Sequence, residues 1–489
     1  MAGKIPMRRY FALIVILVIL TANSSRAQDS ANSEQLSKLI VNLVHSAEVP
    51  GLSIATIEGG KIGWIGSFGV KDTKTAGKVD PQTVFPAASL SKVVFAYAVL
   101  KLVDEGKLDL DAPLSKYVPA YVQNDDRVNL ITARHVLTHR TGFPNWRPSG
   151  KPLVLHFNPG ERYSYSGEGF VYLQRAVETI VGRPLDGFMQ QSVFRPLGMT
   201  NSSYLWQERY EALAVAGHTE AGISTRLGKT VEGASPINGG GGPAAASTLL
   251  TTAEDYAKFV IAVMNGTGLK PETAGQMLKS QSAVDAACGN CIGKPVGKAS
   301  DTISWGLGVG LAATPGGRYF WHWGDNGDFK AFVTGSEVSK RGVVIFTNSA
   351  NGMMIIPDIV REAIGQTPPA FDWLHYERYD SPRMKLYHSI LDDGIDQALK
   401  QYETGPRLNE DDMNRLGLRL LRTRKLKEAI RTLERNVVAF PKSANAWDSL
   451  AEAYMIGGKE LAISYYRRSL ELDPNNRGAL ENLKKLEAK

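Results

Sequence analysis

At 489 residues the chain exceeds what one compact core can organise, so two or three domains are expected. Hydrophobic residues make up 43% and charged residues 21%, a globular composition that excludes a wholly disordered chain. The formal charge of +7 falls to +3 once Lys4, Arg8, Arg9 and Arg26 are set aside with the N-terminal segment, which removes the general electrostatic case for nucleic acid.

That segment reads as an export signal. Lys4, Arg8 and Arg9 precede an unbroken apolar run, Phe11 to Leu20, and Ser25-Arg26-Ala27 is a small-x-small cleavage pattern. The run is too short to span a bilayer comfortably. Cleavage would leave Gln28 first and the mature protein periplasmic or secreted, with no stable membrane span. A retained anchor is the weaker alternative.

From Gly51 to Gly69, two apolar stretches flank Glu58-Gly59-Gly60, which predicts a hairpin. Next comes AASLSK, where Ser89 and Lys92 form a Ser-x-x-Lys pair at the head of an apolar helix that Gly106 stops. At i and i+3 the two share a helix face, so the amine can reach the hydroxyl. A serine hydroxyl is a weak nucleophile until a neighbouring base activates it. The bland reading, a helix cap, holds only if nothing downstream agrees.

His135 and His139, four apart, invite a metal-site reading, but a structural role is favoured. Pro159 to Gly167 (PGERYSYSG) precedes an amphipathic helix ending at Gly182. Gly239 to Gly242 lacks the Lys-Ser/Thr of a phosphate loop and reads as a turn before the helix Ala253 to Met264. Cys288 and Cys291 are the sole cysteines; two thiols cannot complete a zinc site, so a local disulfide is expected. His322-Trp323-Gly324 follows a strand beginning near Tyr319. Gly342 to Asn348 is a buried strand, followed by a helix ending near Gly365. Strands at both ends of this segment, with helices between, indicate an α+β arrangement around one sheet.

Thr367-Pro368-Pro369 opens a linker, 367–382, and the remainder, 383–489, is helical and repetitive. Ala429 and Ala462 lie 33 apart, as do Pro441 and Pro474. With Met413, Leu416, Gly417, Leu420 and Leu433 in one copy and Trp447, Leu450, Ala451, Tyr454 and Tyr466 in the other, this resembles the tetratricopeptide repeat. A half-repeat at Gly394 to Tyr402 and a cap at Leu480 to Leu486 complete an all-α module. Arg419, Arg422, Arg424, Lys425 and Lys427 read as a solvated basic face.

The ordered set Ser89-x-x-Lys92, Tyr163-Ser164-Tyr165 and His322-Trp323-Gly324 resembles the serine hydrolases related to class C β-lactamases, D-amino-acid carboxypeptidases and esterases. Ile131 to Gly142 and Pro196-Leu197-Gly198-Met199 match further landmarks of that family. The resemblance covers roughly residues 45 to 365 within a hydrolase domain at 28–366. It implies an α+β, penicillin-binding-protein-like fold, an antiparallel sheet flanked by helices with a helical lobe. By the same resemblance Ser89 is the nucleophile, Lys92 its proton-handling partner, and Tyr165 general base and then acid. His322 lines the opposite wall, and the backbone N–H groups of Ser89 and Asp325 form the oxyanion hole. A tyrosine acting near neutrality needs its pKa depressed, which Lys92 and a protonated His322 would supply. Tyr163 is the alternative base if the register is off by two, and the order in which Lys92 and Tyr165 take the proton stays open. Around Gly324, two pocket positions depart from the pattern. Gly167 replaces an asparagine amide and Trp323 a hydroxyl, which shifts weight from amides to esters. No metal or organic cofactor is implied. The expected partners are a small-molecule or peptidyl acyl substrate and, through the repeats, a protein or a second copy of the chain. A catalytically inactive binding scaffold is the alternative reading.

Overall fold

The structure is a computed structural model that describes residues 32–119, 121–122, 124–237, 240–402, 407–456 and 458–487. The signal-like segment 1–27, Gly239 and Gly457 lie outside the described residues. The chain divides into two compact units, residues 32–219 with 224–376 and residues 220–223 with 377–487.

The first unit is built on one eight-stranded sheet. Its strands are β1 (Gly51–Glu58), β2 (Lys61–Gly69), β3 (Ser282–Asp285), β4 (Ala299–Trp305), β5 (Gly310–Thr314), β6 (Gly317–Asp325), β7 (Lys330–Gly335) and β8 (Gly342–Thr347). Their order is β2-β1-β8-β7-β6-β5-β4-β3 and every pairing is antiparallel. The first and last strands of the sheet, β1 and β8, therefore pair with each other, so the sheet is complete only when both ends of the segment are present. The β1–β2 hairpin turns at Gly59 (φ +56°) and Gly60 (φ +72°), left-handed positions that glycine occupies without a Cβ clash.

Every residue of β8 is buried. Val344 and Phe346 join the large core around α2 (Ser91–Asp104), while the alternate residues Val343 and Ile345 turn to the opposite face, so both faces of the sheet are covered. On α1, residues 32–46, Leu36, Ile40 and Leu43 are buried at the spacing of a single helical stripe, which Ala47 continues just past its end. Helix α2 is buried at Ser91–Leu100 and again at Leu102, as expected for an apolar central helix, and the chain leaves it through Gly106 at φ +70°.

The expected linker 367–382 is corrected by the structure. Residues 370–374 form a helix, Ala370 and Trp373 are buried, and the unit continues to Tyr376. An aromatic-rich segment (Phe371, Trp373, Tyr376) buries its rings where a polar linker would stay solvated.

In the second unit, helices Glu410–Arg422, Leu426–Ala439, Ala444–Tyr454, Lys459–Leu472 and Arg477–Glu487 follow one another. The 33-residue spacing recurs in burial, with Leu433 and Tyr466, then Ala446 and Ala479, wholly enclosed. Capping repeats at nearly the same interval: Asn409, Ser443 and Asn476 each accept a backbone N–H three residues on. Gly417 is required, because a Cβ there would stand 2.4 Å from Leu433 Cγ. Arg419 departs from the expected solvated stripe. It is fully buried, its guanidinium 4.6 Å from the centre of the Tyr387 ring.

Candidate active site

Ser89 lies in a 3₁₀ turn, Ala88–Leu90, that runs directly into α2. It is not the cap of that helix, and its hydroxyl is therefore not spent on a backbone N–H. Ala88 is held at φ +48°, a conformation that costs energy for a residue with a Cβ. The surroundings over-determine it. Ala87 N–H donates to Leu249 O at 2.8 Å, Ser91 Oγ donates to Ala88 O at 2.5 Å, and Leu249 N–H donates to Ser91 Oγ at 3.0 Å.

One turn later Lys92 is fully buried. Its Nζ donates to Ser89 Oγ at 3.1 Å and to Ala246 O at 2.8 Å. Three aromatic rings surround it: Tyr165 at 5.0 Å, Phe170 at 5.8 Å and Trp146 at 5.9 Å from ring centre to Nζ. Burial pushes its pKa down to about 7. The Ser-x-x-Lys spacing thus delivers an amine that can be neutral near physiological pH.

Tyr165 enters from the segment before α3, the helix Gly167–Val181. Its phenol stands beside the Ser89 hydroxyl, outside ordinary hydrogen-bond length. Burial pushes its pKa up, against the depression expected from sequence. His322 corrects the other half of that expectation. Burial, and then the charge of Lys92, lower its pKa to about 3, so it is a neutral imidazole near neutrality. Its Nδ1–H donates to Trp323 O at 2.7 Å, which leaves Nε2 as the lone-pair nitrogen. Tyr163 is buried too, but its hydroxyl finds no partner among the described residues, and its ring packs on Trp305 and Trp373.

Sequence reasoning gave His139 a structural role and did not place it beside Tyr165. Its ring centre lies 4.2 Å from that of Tyr165, and its Nδ1 accepts the Ser166 N–H at 3.0 Å, placing the proton on Nε2. Burial, with Lys92 and His322 nearby, holds its pKa well below the usual value. His135 serves elsewhere, its Nδ1 facing Thr132 N–H at 3.4 Å in a capping box. The two histidines do not converge on a metal. Among the described residues, the one grouping of metal-ligating type is Asp285, Cys288 and Cys291, whose two sulfurs are bonded to each other. That Cys288–Cys291 loop touches the site, since Gly289 O accepts the Tyr165 N–H at 2.9 Å.

Asp325 ends β6. In the turn that follows, Asn326 N–H donates to Phe329 O at 3.2 Å. Antiparallel pairs alternate, so the next pair, Asp325 with Lys330, is a non-hydrogen-bonded one and Asp325 turns its N–H away from β7. The Ser89 turn lies close to this end of the strand: a Cβ on Gly324 would meet Ala87 O at 2.6 Å and Ala88 Cβ at 3.2 Å. Only glycine permits so close an approach of strand and turn.

The pocket rim is aromatic. Trp323 stacks on His322 (5.1 Å) and lies 4.7 Å from Tyr165. Trp146, unforeseen from sequence, covers Gly167: a Cβ there would stand 2.7 Å from Cζ2 of its indole. Nothing in the FPNW stretch marks it, because its role depends on how the loop folds back on α3.

The Beta-lactamase family model matches residues 36–361, well over half of the chain. The chain belongs to the Beta-lactamase family. Protein flp of Staphylococcus aureus (strain N315) is 27% identical over 191 residues, which is 35% of this chain and 38% of that protein. The matched stretch thus spans well under half of that relative's length. D-alanine carboxypeptidase AmpC from Burkholderia cenocepacia superposes with a TM-score of 0.56 at 18% identity, covering 69% of this chain and 99% of that one. A class C beta-lactamase gives 0.57 at 18% identity over 69% and 97%. The fold is that of the β-lactamase and penicillin-binding-protein group, an antiparallel sheet with flanking helices, followed here by a C-terminal helical region.

Proposed function

We propose that the protein is a serine hydrolase acting on esters through an acyl-enzyme, with Ser89 as nucleophile, Lys92 as base and Tyr165 as acid. The observation that carries this reading is a buried amine with a pKa near 7, held 3.1 Å from the Ser89 hydroxyl. Neutral Lys92 accepts the Ser89 proton as Oγ bonds to the carbonyl carbon. The N–H groups of Ser89 and Asp325 hold the oxyanion. Collapse breaks the bond to the leaving oxygen, which takes the Tyr165 proton, and the Lys92 ammonium reprotonates the phenolate. Water repeats the sequence on acyl-Ser89, giving the acid and free enzyme. A tyrosine whose pKa is raised is suited to the acid role rather than the first base.

Ester preference rests on what the pocket omits. Gly167 has no amide, Trp146 takes its space, and Trp323 has no hydroxyl for a substrate carboxylate. Amides and β-lactams would leave their own polar groups unpaired there. The segment 1–27 supports export, and the 33-residue periodicity supports a tetratricopeptide-like module that binds a protein or a second copy of the chain. The test is labelling with a fluorophosphonate and with a fluorescent penicillin. Wild type should label with the first much faster than with the second, and Ser89→Ala with neither. Labelling of folded Ser89→Ala would overturn the reading.

A further inference from the structure

The family match stops at residue 361, yet the unit that holds the site runs on to Tyr376. The intervening segment is packed against the pocket. Phe371 meets Phe332 of β7, ring centres 4.4 Å apart. Trp373 is 6% exposed and sits among Trp321 (5.8 Å), Trp323 (6.1 Å) and Tyr163 (6.4 Å). Its Nε1–H donates to Asp285 O at 2.9 Å, which fixes the plane of the indole. Trp323, against which it packs, in turn lies 4.7 Å from the Tyr165 ring.

Tyr376 reaches the oxyanion side. Its hydroxyl donates to Asp325 Oδ2 at 2.6 Å, while Oδ1 takes the Lys330 ammonium at 2.5 Å and the Gly327 N–H at 2.9 Å. Lys330 and Gly327 belong to the same hairpin as Asp325. Tyr376 is the contact that ties this carboxylate to a separate segment. Burial and the carboxylate keep its phenol protonated, so the donor persists across the working range. A side chain clamped from three directions fixes its own backbone, and the backbone N–H of Asp325 is the proposed oxyanion donor.

Resting on the hydrolase reading above, we infer that Ala370–Tyr376 is a specificity element of the site: Tyr376 positions Asp325, and Trp373 backs Trp323 to form a wall for a flat, apolar acyl group such as benzoyl. The segment lies outside the part of the chain that defines the family, so it distinguishes this protein's substrate choice from the shared chemistry.

The test uses full-length wild type, Tyr376→Phe and Trp373→Leu, with kcat and KM for p-nitrophenyl acetate and benzoate and a melting temperature for each. Tyr376→Phe should lower kcat about tenfold on both esters with KM nearly unchanged, a fraction of what losing an oxyanion donor costs. Trp373→Leu should lower the benzoate-to-acetate ratio of kcat/KM about tenfold, within the range that pocket shape commands. If Trp373→Leu does not fold, Trp373→Phe takes its place in the same assay; it keeps a ring and should shift the ratio in the same direction. Wild-type kcat in Tyr376→Phe, or a wild-type ratio in the folded Trp373 variant, overturns the inference. A wild-type protein that fails to label at Ser89 overturns the hydrolase reading instead.

Discussion

The indole of Trp146 lies where a side chain at position 167 would begin, 2.7 Å from the Cβ that Gly167 lacks. Its neighbours hold it there. Asn145 accepts the Gly167 N–H through both its backbone oxygen and Oδ1, each at 3.0 Å, and Arg147 pairs with the buried Glu168 carboxylate. Gly167→Asn, which restores the family amide, should therefore collide with the indole. Ester turnover should fall about tenfold, in line with overpacking of roughly 1–3 kcal/mol. Adding Trp146→Ala should relieve the collision and raise nitrocefin hydrolysis. Unchanged ester turnover in Gly167→Asn would show that the indole yields freely.

Tyr165→Phe should cost about 10²–10⁴ in turnover, the range of a general acid–base group. Tyr163→Phe should cost less than about threefold, because it removes a buried hydroxyl that has no partner among the described residues. Steady-state rates on one ester, with melting temperatures, separate the two. A crippled Tyr163→Phe would mean that the motif is read two residues out of register.

Activity should rise with pH through a midpoint near the Lys92 value of about 7, since only the neutral amine accepts a proton. Stability follows the same group. Between about 7 and the ordinary lysine value near 10.4, the unfolded chain binds a proton that the folded one does not, so stability contributed at this position rises with pH. Lys92→Arg, which cannot lose its proton, should abolish turnover at every pH. Measurable turnover by Lys92→Arg with the wild-type pH profile would remove Lys92 from the base role.

His139 and His322 predict acid sensitivity of the fold. Both have lowered values, His322 to about 3. Below about 6.5 the unfolded state takes up protons that the native state refuses, at about 1.4 kcal/mol per pH unit for each histidine. Denaturation midpoints should fall from pH 7 to pH 5, and less steeply in His322→Gln. Equal slopes in wild type and variant would count against a neutral buried imidazole at 322.

Ending the chain after Tyr376 should leave small-ester turnover largely intact, because Ser89, Lys92, Tyr165, His322 and Asp325 all belong to the first unit. Ending it at Gln366 removes Trp373 and Tyr376 as well, and turnover should drop about tenfold or more with the oxyanion side disturbed. Assays of both truncations on p-nitrophenyl acetate decide it. Equal activities would mean that the aromatic segment is dispensable.

Much of this was legible from local pattern. Apolar runs and glycine turns gave the β1–β2 hairpin and the buried α2, and the 33-residue spacing gave paired helices. Ser89 and Lys92 meet because i and i+3 share a helix face, a relation of sequence distance alone. The charge states were not legible. Whether Lys92 is neutral, Tyr165 protonated or His322 uncharged depends on burial by segments far away in the chain, and desolvation has no signature in residue identity. The same holds for residues that matter through contact. His139 reaches Tyr165 across 26 positions, Trp146 covers Gly167 across 21, and Tyr376 reaches Asp325 across 51. Sequence determined which groups could react. The closing of the sheet by its two ends, and the folding of loop and aromatic segment onto one pocket, decided how strongly each holds its proton and what shape it faces.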